Sequence, residues 1–325
     1  MSKVIGIDVS MQTFDVSFLN KKDKWEHFSF SNDKSGFKKF EKLLDNEDII
    51  VMEATGPYFL RLTTYFNDKS YFVSVVNPLK IKYFSKMQMM RAKTDKKDAQ
   101  VIAQYGMFFK DKLEKWQSKE KYVLSLQEMN NVIDGYHKQL TMMNNRLKAF
   151  ESSGFMDKKV KNSLKSSIKK IQTEIEKLEK EMLKIVKEHY QENYELLISI
   201  PGLGKKTAIM LIVLTGNFER FENYKQLISY VGFSPRIEQS GTSLSYNGHI
   251  SKMGNSRIRK LLYMCSWSAK KYNKQAVEMY QRLSERGKPE RVIKIAIANK
   301  LLKIAFAVVK NKAMYDANYN CKLVS

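Results

Sequence analysis

The side chains best suited to chemistry in this chain are four carboxylates near its N-terminus: Asp8, Glu53, Asp95 and Asp98. Asp8 lies within an apolar, strand-like run at residues 4–9, and Glu53 ends a second such run. Asp95 and Asp98 are three residues apart, which puts both on one face of a helix. Carboxylates at the ends of apolar strands are unfavourable unless something neutralises them, and a hard divalent cation does so.

The chemistry that such a cluster supports is phosphoryl transfer assisted by metal ions. Two divalent ions about 4 Å apart can stabilise both the attacking and the leaving oxygen of an in-line displacement at phosphorus. Three or four carboxylates from different elements are needed to hold such a pair. A simpler interpretation of Asp95 and Asp98 is that acids favour a helix N-terminus. Asp15 and Asp48 are further candidates, but turn or edge positions explain them more simply.

The elements that would position these acids follow the order of an α/β RNase H-like fold, because three short strands come first and helix and strand then alternate. Thr94 can cap the last helix of this region. The predicted segments are strands over 3–9, 13–19 and 25–30, an amphipathic segment over 37–44, a strand ending at Glu53, a helix from Pro57 to about Asn67, a strand over 71–76, a Met- and Lys-rich stretch over 86–93 and a helix from Asp95 to about Phe109.

Apolar residues at alternating spacings of four and three dominate residues 119–190, with one interruption at Ser152-Ser153-Gly154. Three to four heptads on either side of a glycine turn predict a coiled-coil hairpin with arms of about 45 Å. The seams can close within the chain, but they can also meet a second subunit, so we expect dimerisation through this arm. The apolar positions are Tyr122, Leu126, Met129, Ile133, Tyr136, Leu140, Met143, Leu147 and Phe150, then Leu164, Ile168, Ile171, Ile175, Leu178, Met182 and Ile185.

A glycine-rich bend at Gly202 and Gly204 opens the C-terminal part of the chain. It matches the turn of a helix-hairpin-helix element, in which backbone N–H groups at a helix start face a DNA phosphate. An ordinary helix–helix turn is the alternative. Downstream, the sequence predicts helices over 218–232 and 254–272, a loop-like stretch over 232–251, and two helices within 281–312 that break at Gly287-Lys288-Pro289. The predicted domains are an α/β domain over 1–115, a coiled-coil hairpin over 116–192 and a mainly α domain over 193–325.

A second candidate for chemistry is Ser240, in the segment Gln239-Ser240-Gly241. A serine beside a glycine can project its hydroxyl freely, and basic residues nearby in the sequence can hold a phosphodiester. Serine is a poor nucleophile until something takes its proton. His249 could act as that base, although a single histidine is more often structural. Ser243 and Ser245 compete equally, so the residues alone leave the nucleophile open.

The net charge of +23 is unevenly distributed along the chain. Residues 196–325 hold 22 Lys and Arg against 7 Asp and Glu, a net charge of +15, which leaves +8 for residues 1–195. This excess indicates a polyanionic partner, most often nucleic acid, although ribosomal and membrane-surface proteins share it. No apolar run approaches a membrane span or a signal peptide, and Cys265 and Cys321 form no disulfide framework, so we expect a cytoplasmic protein.

Several motifs lie in order along nearly the whole chain: Gly6–Ser10, Glu53–Tyr58, Val76–Pro78, Lys93–Ala99, Ile200–Gly204, Gln239–Gly241 and Ile250–Asn255. Together they resemble the insertion-sequence transposases of the IS110 and IS1111 groups, described as RNA-guided recombinases. The first four are similar to that family's RuvC-like DEDD domain. The last three are similar to its transposase domain, and the predicted coiled coil lies between the two sets.

The resemblance implies a composite site. Asp8, Glu53, Asp95 and Asp98 would bind Mg²⁺, with two ions per site, and Ser240 would attack DNA to leave a covalent phosphoserine intermediate. A similar protein works as a tetramer in a prokaryotic cell, on the nucleoid when active. A structured noncoding RNA would pair with target and donor DNA, while the protein reads duplex shape and backbone.

Basic and glycine residues within or beside these motifs are the predicted nucleic-acid contacts: Lys93, Gly202, Gly204, Lys205, Lys206, Arg236, Lys252, Arg257 and Arg259. Two other functions remain open. A metal-dependent nuclease, such as a RuvC-like junction resolvase, would need only the four acids and would use water as its nucleophile. A nucleic-acid-binding scaffold would need neither the acids nor Ser240 for catalysis.

Overall fold

A computed structural model describes residues 2–54, 56–89, 94–240 and 244–318, with the side chains of 237–240 and 244–248 outside the description. The chain forms two compact units, Met1–Lys119 and Glu120–Ser325. Among the described residues, no helix is both long and apolar enough to cross a membrane.

The first unit is built on a five-stranded mixed sheet in the order β3-β2-β1-β4-β5. The first three strands pair antiparallel, whereas β1 pairs with β4, and β4 with β5, in parallel. The prediction of three strands followed by alternating helix and strand is confirmed. The strands are β1 Val4–Val9, β2 Thr13–Leu19, β3 Trp25–Ser31, β4 Ile49–Glu53 and β5 Phe72–Val76.

The two faces of this sheet pack against different parts of the unit. Side chains alternate along each strand, so neighbouring residues belong to opposite faces. Ile5 and Ile7 point into an aromatic core formed with Phe14, Phe40 and Phe66. The opposite face lies under a helix, and Gly6 belongs to that face. A Cβ at Gly6 would lie 2.2 Å from Ala103 N and from Ala99 O, so the helix backbone rests directly on β1.

The described residues of the first unit also form four helices, α1 Lys34–Glu41, α2 Phe59–Asp68, α3 Pro78–Met87 and α4 Asp95–Phe108, followed by a 3-10 turn at Lys110–Lys112. The predicted cap of α4 is confirmed, because the Thr94 hydroxyl accepts a hydrogen bond from Lys97 N. Sequence reasoning missed α3. Its start carries a clear signal, since Asn77 caps the helix and Pro78 occupies the first turn.

The second unit begins with two long helices, α5 Lys121–Ser152 and α6 Lys158–Ile198, which pack against each other. Heptad positions such as Leu126, Ile133 and Ile175 are buried between them and belong to the same core as the C-terminal helices. The turn falls at the predicted interruption, where Gly154 has a positive φ of 76°. A coiled-coil geometry and a separate domain over 116–192 stay predictions.

The described residues at the C-terminal end of the chain form five shorter helices, of which α11 is largely buried and packs against α6, α8, α9 and α10: α7 Lys205–Thr215, α8 Tyr224–Val231, α9 Ser256–Tyr272, α10 Lys274–Glu285 and α11 Glu290–Lys310. The predicted break at Gly287-Lys288-Pro289 is confirmed. The helix predicted over 218–232 begins only at Tyr224, because Phe218 has a positive φ of 63° and Asn223 provides the cap.

The loop predicted over 232–251 is wrong, because most of it is a β-hairpin. β6 Pro235–Ser240 pairs antiparallel with β7 Leu244–Ile250. Ser and Gly have low strand propensity, so the segment does not look like a strand in sequence. Pairing between the two strands satisfies the backbone groups without a long apolar run.

Candidate metal centre and nucleic-acid interface

Three of the four predicted acids meet at one point of the first unit. Asp8, Asp95 and Asp98 each offer a carboxylate oxygen, and these oxygens lie within 4.8 Å of one another. Asp8 and Asp98 are half-buried and Asp95 is exposed. Carboxylate oxygens are the ligands of hard divalent cations, so the donor set fits such an ion with an open side toward solvent.

The local structure explains why these acids converge. Asp8 follows Gly6 on the sheet face that α4 covers, and α4 begins at Asp95 above it. Asp95 and Asp98 occupy the first turn of α4, where the helix dipole favours negative charge. The simpler interpretation of these two acids, a preference for a helix start, is therefore satisfied by the same geometry that brings them to Asp8.

Burial and neighbouring negative charge dominate the electrostatics of Asp8 among the described residues. Burial, as the largest cause, and the nearby charges of Asp98, Glu53, Asp95 and Asp15 together raise the pKa of Asp8 from 3.8 to about 6. A cation bound here would offset both causes, because it replaces the lost hydration and neutralises the repulsion.

Glu53 contributes to this field from the neighbouring strand. It ends β4, which runs parallel to β1 with Ile7 opposite Met52. Its charge raises the pKa of Asp8, so the two carboxyls interact, although Glu53 is not one of the three acids within mutual ligating distance. The four predicted acids thus comprise a close group of three and one neighbour.

Asp15 is a fifth acid that sequence reasoning undervalued. It lies on β2, an interior strand, directly opposite Asp8 in the antiparallel register, so an edge position does not explain it. Its side chain is 16% exposed, and its Oδ1 lies 3.3 Å from His27 Nε2. The available signal was its position between Phe14 and Val16, which matches that of Asp8 between Ile7 and Val9.

Asp48, by contrast, has the structural role that a turn position predicts. Its side chain is fully buried and accepts hydrogen bonds from Lys3 N at 2.8 Å and Asp45 N at 2.9 Å. The Lys3 ammonium lies 3.3 Å away. Asp48 therefore connects the start of β1 to the turn before β4.

The predicted glycine bend lies between α6 and α7, and its assignment as a helix-hairpin-helix element rather than an ordinary helix–helix turn stays a prediction. Gly202 has a φ of 95°, and a Cβ there would lie 2.7 Å from the Ala269 side chain, so only glycine fits. Gly204 caps α7 and faces open space. Lys205 is exposed, whereas Lys206 forms an ion pair of 2.7 Å with Glu179 of α6.

The predicted arginine contacts of the second unit have partners within the protein. Arg257 forms an ion pair with Asp134 and lies 3.5 Å from the Asn131 side-chain oxygen. Arg259 donates to the Val231 carbonyl at 2.6 Å, and burial lowers its pKa. These contacts connect α9 to α5 and close the end of α8.

The remaining predicted nucleic-acid contacts are distributed over the surface. Arg236 is exposed on β6, and Lys252 is exposed with a positive φ of 55° just after β7. Lys93 lies outside the described residues. Nucleic-acid contacts at these positions stay predictions.

Ser240 is the last residue of β6, where its backbone pairs with Leu244. Its side chain, Gly241 and the competitor Ser243 lie outside the description. Ser245 follows on β7, opposite Gln239. The structure therefore gives the hairpin that carries these serines and leaves the choice among them as a prediction.

Two family models match the chain. A transposase model of the DEDD, IS110 type covers residues 5–153, and the transposase model of the IS116/IS110/IS902 family covers residues 194–281. The first match includes the acid cluster, and the second includes the glycine bend and the β6–β7 hairpin, whose first strand ends at Ser240.

Curated relatives match nearly the full chain. A pilin gene-inverting protein of Moraxella lacunata is 31% identical over 97% of this chain and 98% of its own length. The pilin gene-inverting protein of Moraxella bovis is 30% identical over the same shares. The transposase of insertion sequence element IS1111A from Coxiella burnetii is 23% identical over 96% of this chain and 91% of its own length.

These matches define the protein as a DNA transposase, an enzyme of DNA recombination. The chain belongs to the IS110 family of transposases. A transposase binds DNA, and the DEDD character of the family indicates a divalent metal at the acid cluster.

Proposed function

We propose that this transposase cuts and rejoins DNA through a covalent phosphoserine intermediate at Ser240, assisted by Mg²⁺ at the acid cluster. The observation that carries the metal part is the approach of three carboxylates, Asp8, Asp95 and Asp98, to within 4.8 Å. Asp8, Asp95 and Asp98 would hold the metal, with Glu53 adding negative charge beside them. Bound Mg²⁺ supplies charge stabilisation to a phosphate in displacement, and two ions are proposed per site.

The proposed reaction is a transesterification, in which each phosphate ester bond that breaks is replaced by another. The Ser240 Oγ forms a bond to phosphorus while a bond from phosphorus to a sugar oxygen breaks. The serine gives up its proton, and the departing sugar oxygen takes one up. A hydroxyl of a second DNA end then attacks the phosphoserine, which restores a DNA phosphodiester and releases the serine. No external energy source is needed, because each bond broken is replaced by an equivalent one.

Two observations support Ser240 over a water nucleophile. The segment Gln239–Gly241 lies inside the matched transposase region, at the end of β6. The Moraxella relatives are named for inverting a gene, and inversion requires that broken strands are rejoined. A nuclease that uses water would leave the strands broken.

We also propose an RNA guide and an oligomer. The net charge of +15 in residues 196–325 supports extensive contact with nucleic-acid backbones. The α5–α6 arm carries exposed apolar side chains at its far end, including Phe150, Phe155 and Val160. Such side chains support a protein contact there, in a dimer through a coiled-coil arm and in a tetramer of two dimers.

The first unit is proposed to be RNase H-like and, more narrowly, RuvC-like. The strand order β3-β2-β1-β4-β5, with three antiparallel strands followed by two parallel ones, supports this assignment. In such a fold, acids on the central strand and on a helix that crosses it can reach one phosphate.

The decisive test compares Ser240→Ala, Ser245→Ala and Asp8→Asn on DNA that carries the insertion element and its flanks. Ser240→Ala should bind DNA normally but lose both strand breakage and the protease-sensitive protein–DNA adduct. Ser245→Ala, the matched control, should keep both. Full cleavage by Ser240→Ala would refute the serine mechanism. Cleavage by wild type without any adduct, abolished by Asp8→Asn, would establish the water-dependent nuclease instead.

The RNA guide has a separate test. The protein is purified after expression with its flanking DNA, and bound RNA is sequenced. We expect one structured transcript from the element itself. Recovery of only bulk cellular RNA would contradict the guide while leaving the cleavage chemistry unaffected.

A further inference from the structure

An exposed tryptophan on α9 has no role in the proposed chemistry. Trp267 is 49% exposed, and Met264, one turn earlier, is 59% exposed. Tryptophan is highly buried on average, so an indole that keeps half its surface in solvent is unusual. Tryptophan is enriched at interfaces, because it combines a large apolar face with one polar edge.

The indole of Trp267 is held in place from one side. The Lys294 ammonium lies 3.2 Å from its ring centroid, and the Lys294 side chain is only 4% exposed. The Lys270 ammonium is 5.7 Å from the same centroid. Both ammonium groups lie 3.0 Å from the Glu290 carboxylate. One ring face is therefore occupied, and the exposed half of the indole lies away from Lys294.

The charge around this indole favours an anionic partner. α9 carries no acidic residue along Ser256–Tyr272; three of its five basic residues contact groups of the protein itself, whereas Lys260 and Lys271 are exposed. Lys271 is exposed one turn after Trp267, on the same side of the helix. A second copy of this chain would bring the same positive charge to the contact and would be repelled.

We propose that Trp267 is a stacking platform for an unpaired nucleobase of a DNA or RNA strand, with Lys271 next to the strand's phosphate. Single-stranded nucleic acid is recognised by aromatic side chains that stack on bases beside cations that follow the backbone. Lys294 holds the indole in position beforehand, so little side-chain freedom is lost when a base binds. The inference does not depend on Ser240 or on the metal.

The test uses the full chain and fluorescein-labelled oligonucleotides of one length: single-stranded DNA, single-stranded RNA and duplex DNA. Trp267→Leu keeps an apolar cover over Lys294 but removes the aromatic face, whereas Trp267→Phe keeps an aromatic face. The expected result is about 5- to 150-fold weaker single-strand binding for Trp267→Leu. Trp267→Phe should recover most of the affinity, and duplex binding should change less than twofold.

A matched control is Tyr83→Leu, which changes an exposed aromatic residue of α3 and should leave all affinities unchanged. A loss of affinity of Trp267→Leu for single-stranded DNA, single-stranded RNA or both supports the platform and shows which nucleic acid provides the stacked base. No loss with either, or an equal loss on duplex DNA, would overturn it.

A spectroscopic measurement reports the contact directly. Replacing Trp25 and Trp116 by phenylalanine leaves Trp267 as the single indole of the chain. A stacked base quenches indole fluorescence, so a single-stranded oligonucleotide should reduce the emission in proportion to its binding. Full binding with unchanged emission would exclude stacking at Trp267.

Discussion

Asp15 on β2 lies directly opposite Asp8 on β1, in the same antiparallel ladder. Cross-strand partners have Cβ atoms about 5 Å apart, and like charges at that separation repel. His27 Nε2 lies 3.3 Å from Asp15 Oδ1, on β3 and therefore on the side of β2 away from β1. The sheet thus places an additional carboxylate beside the acid cluster that α4 completes.

The contribution of each acid to the pKa of Asp8 can be ranked by substitution. Asp98→Asn should lower this pKa from about 6 by more than Asp15→Asn does, because Asp98 has the largest effect among the charges and Asp15 the smallest. Carbon-13 NMR titration of the Asp8 carboxyl in metal-free protein measures both shifts. Asp23→Asn, in the exposed β2–β3 turn, is the control and should leave the titration unchanged.

The stability of the metal-free protein should depend on pH through Asp8. Its folded pKa of about 6 exceeds the ordinary value of 3.8, so the folded state favours the protonated form. The contribution of Asp8 to stability is therefore fully present below pH 4 and is lost as pH rises through 6. Asp8→Asn should remove this decline and raise the melting temperature at pH 7 by ~4 °C.

Metal addition provides the complementary measurement. Mg²⁺ at pH 7 should raise the melting temperature of the wild type and lower the pH at which stability declines, because the cation favours ionised Asp8. Asp8→Asn should respond much less. An equal response in both proteins would place metal binding elsewhere.

The two glycines of the bend before α7 should differ in their tolerance of a side chain. Gly202→Ala forces a Cβ against Ala269 at a φ of 95° and should cost about 2 kcal/mol or more. Gly204→Ala enters open space and should cost at most ~1 kcal/mol. Urea denaturation gives both values. Similar losses at the two positions would contradict the packing described here.

Two roles of Arg257 can be separated by experiment: an ion pair within the protein and a contact with nucleic acid. If its pair with Asp134 defines its function, Arg257→Gln and Asp134→Asn should show a coupling energy of about 0.5–1 kcal/mol in a double-mutant cycle. If it binds a DNA phosphate, Arg257→Gln alone should reduce the salt dependence of binding by about one counterion. Denaturation and salt titration of the same variants separate the two roles.

The acid cluster could be predicted from sequence because its signals are local. Asp8 interrupts an apolar strand, Glu53 ends one, and Thr94 caps the helix that carries Asp95 and Asp98. Asp15 carries the same strand signal as Asp8, but in sequence a turn or edge position explains it more simply. Only the strand order, which depends on long-range pairing, makes β2 an interior strand.

Other features depend on tertiary contacts that one sequence does not reveal. The β6–β7 hairpin is held by backbone pairing between residues with weak strand propensity. The sequence predicts Arg257 and Arg259 as nucleic-acid contacts. In the structure, Arg257 pairs with Asp134 and Arg259 donates to the Val231 carbonyl. The helix α3 is amphipathic only weakly, so its Asn-Pro start was the better signal.

The contact of Gly6 with the backbone of α4 sets how far apart the acids can be. Gly6 packs against backbone atoms of Ala99 and Ala103, so no flexible side chain can move to make room for an added methyl group. An alanine at position 6 would lift the helix and carry Asp95 and Asp98 away from Asp8. Gly6, two residues before Asp8, thus keeps α4 close enough to β1 for the acids to meet. A single added methyl group there is enough to disable the site with every carboxylate intact.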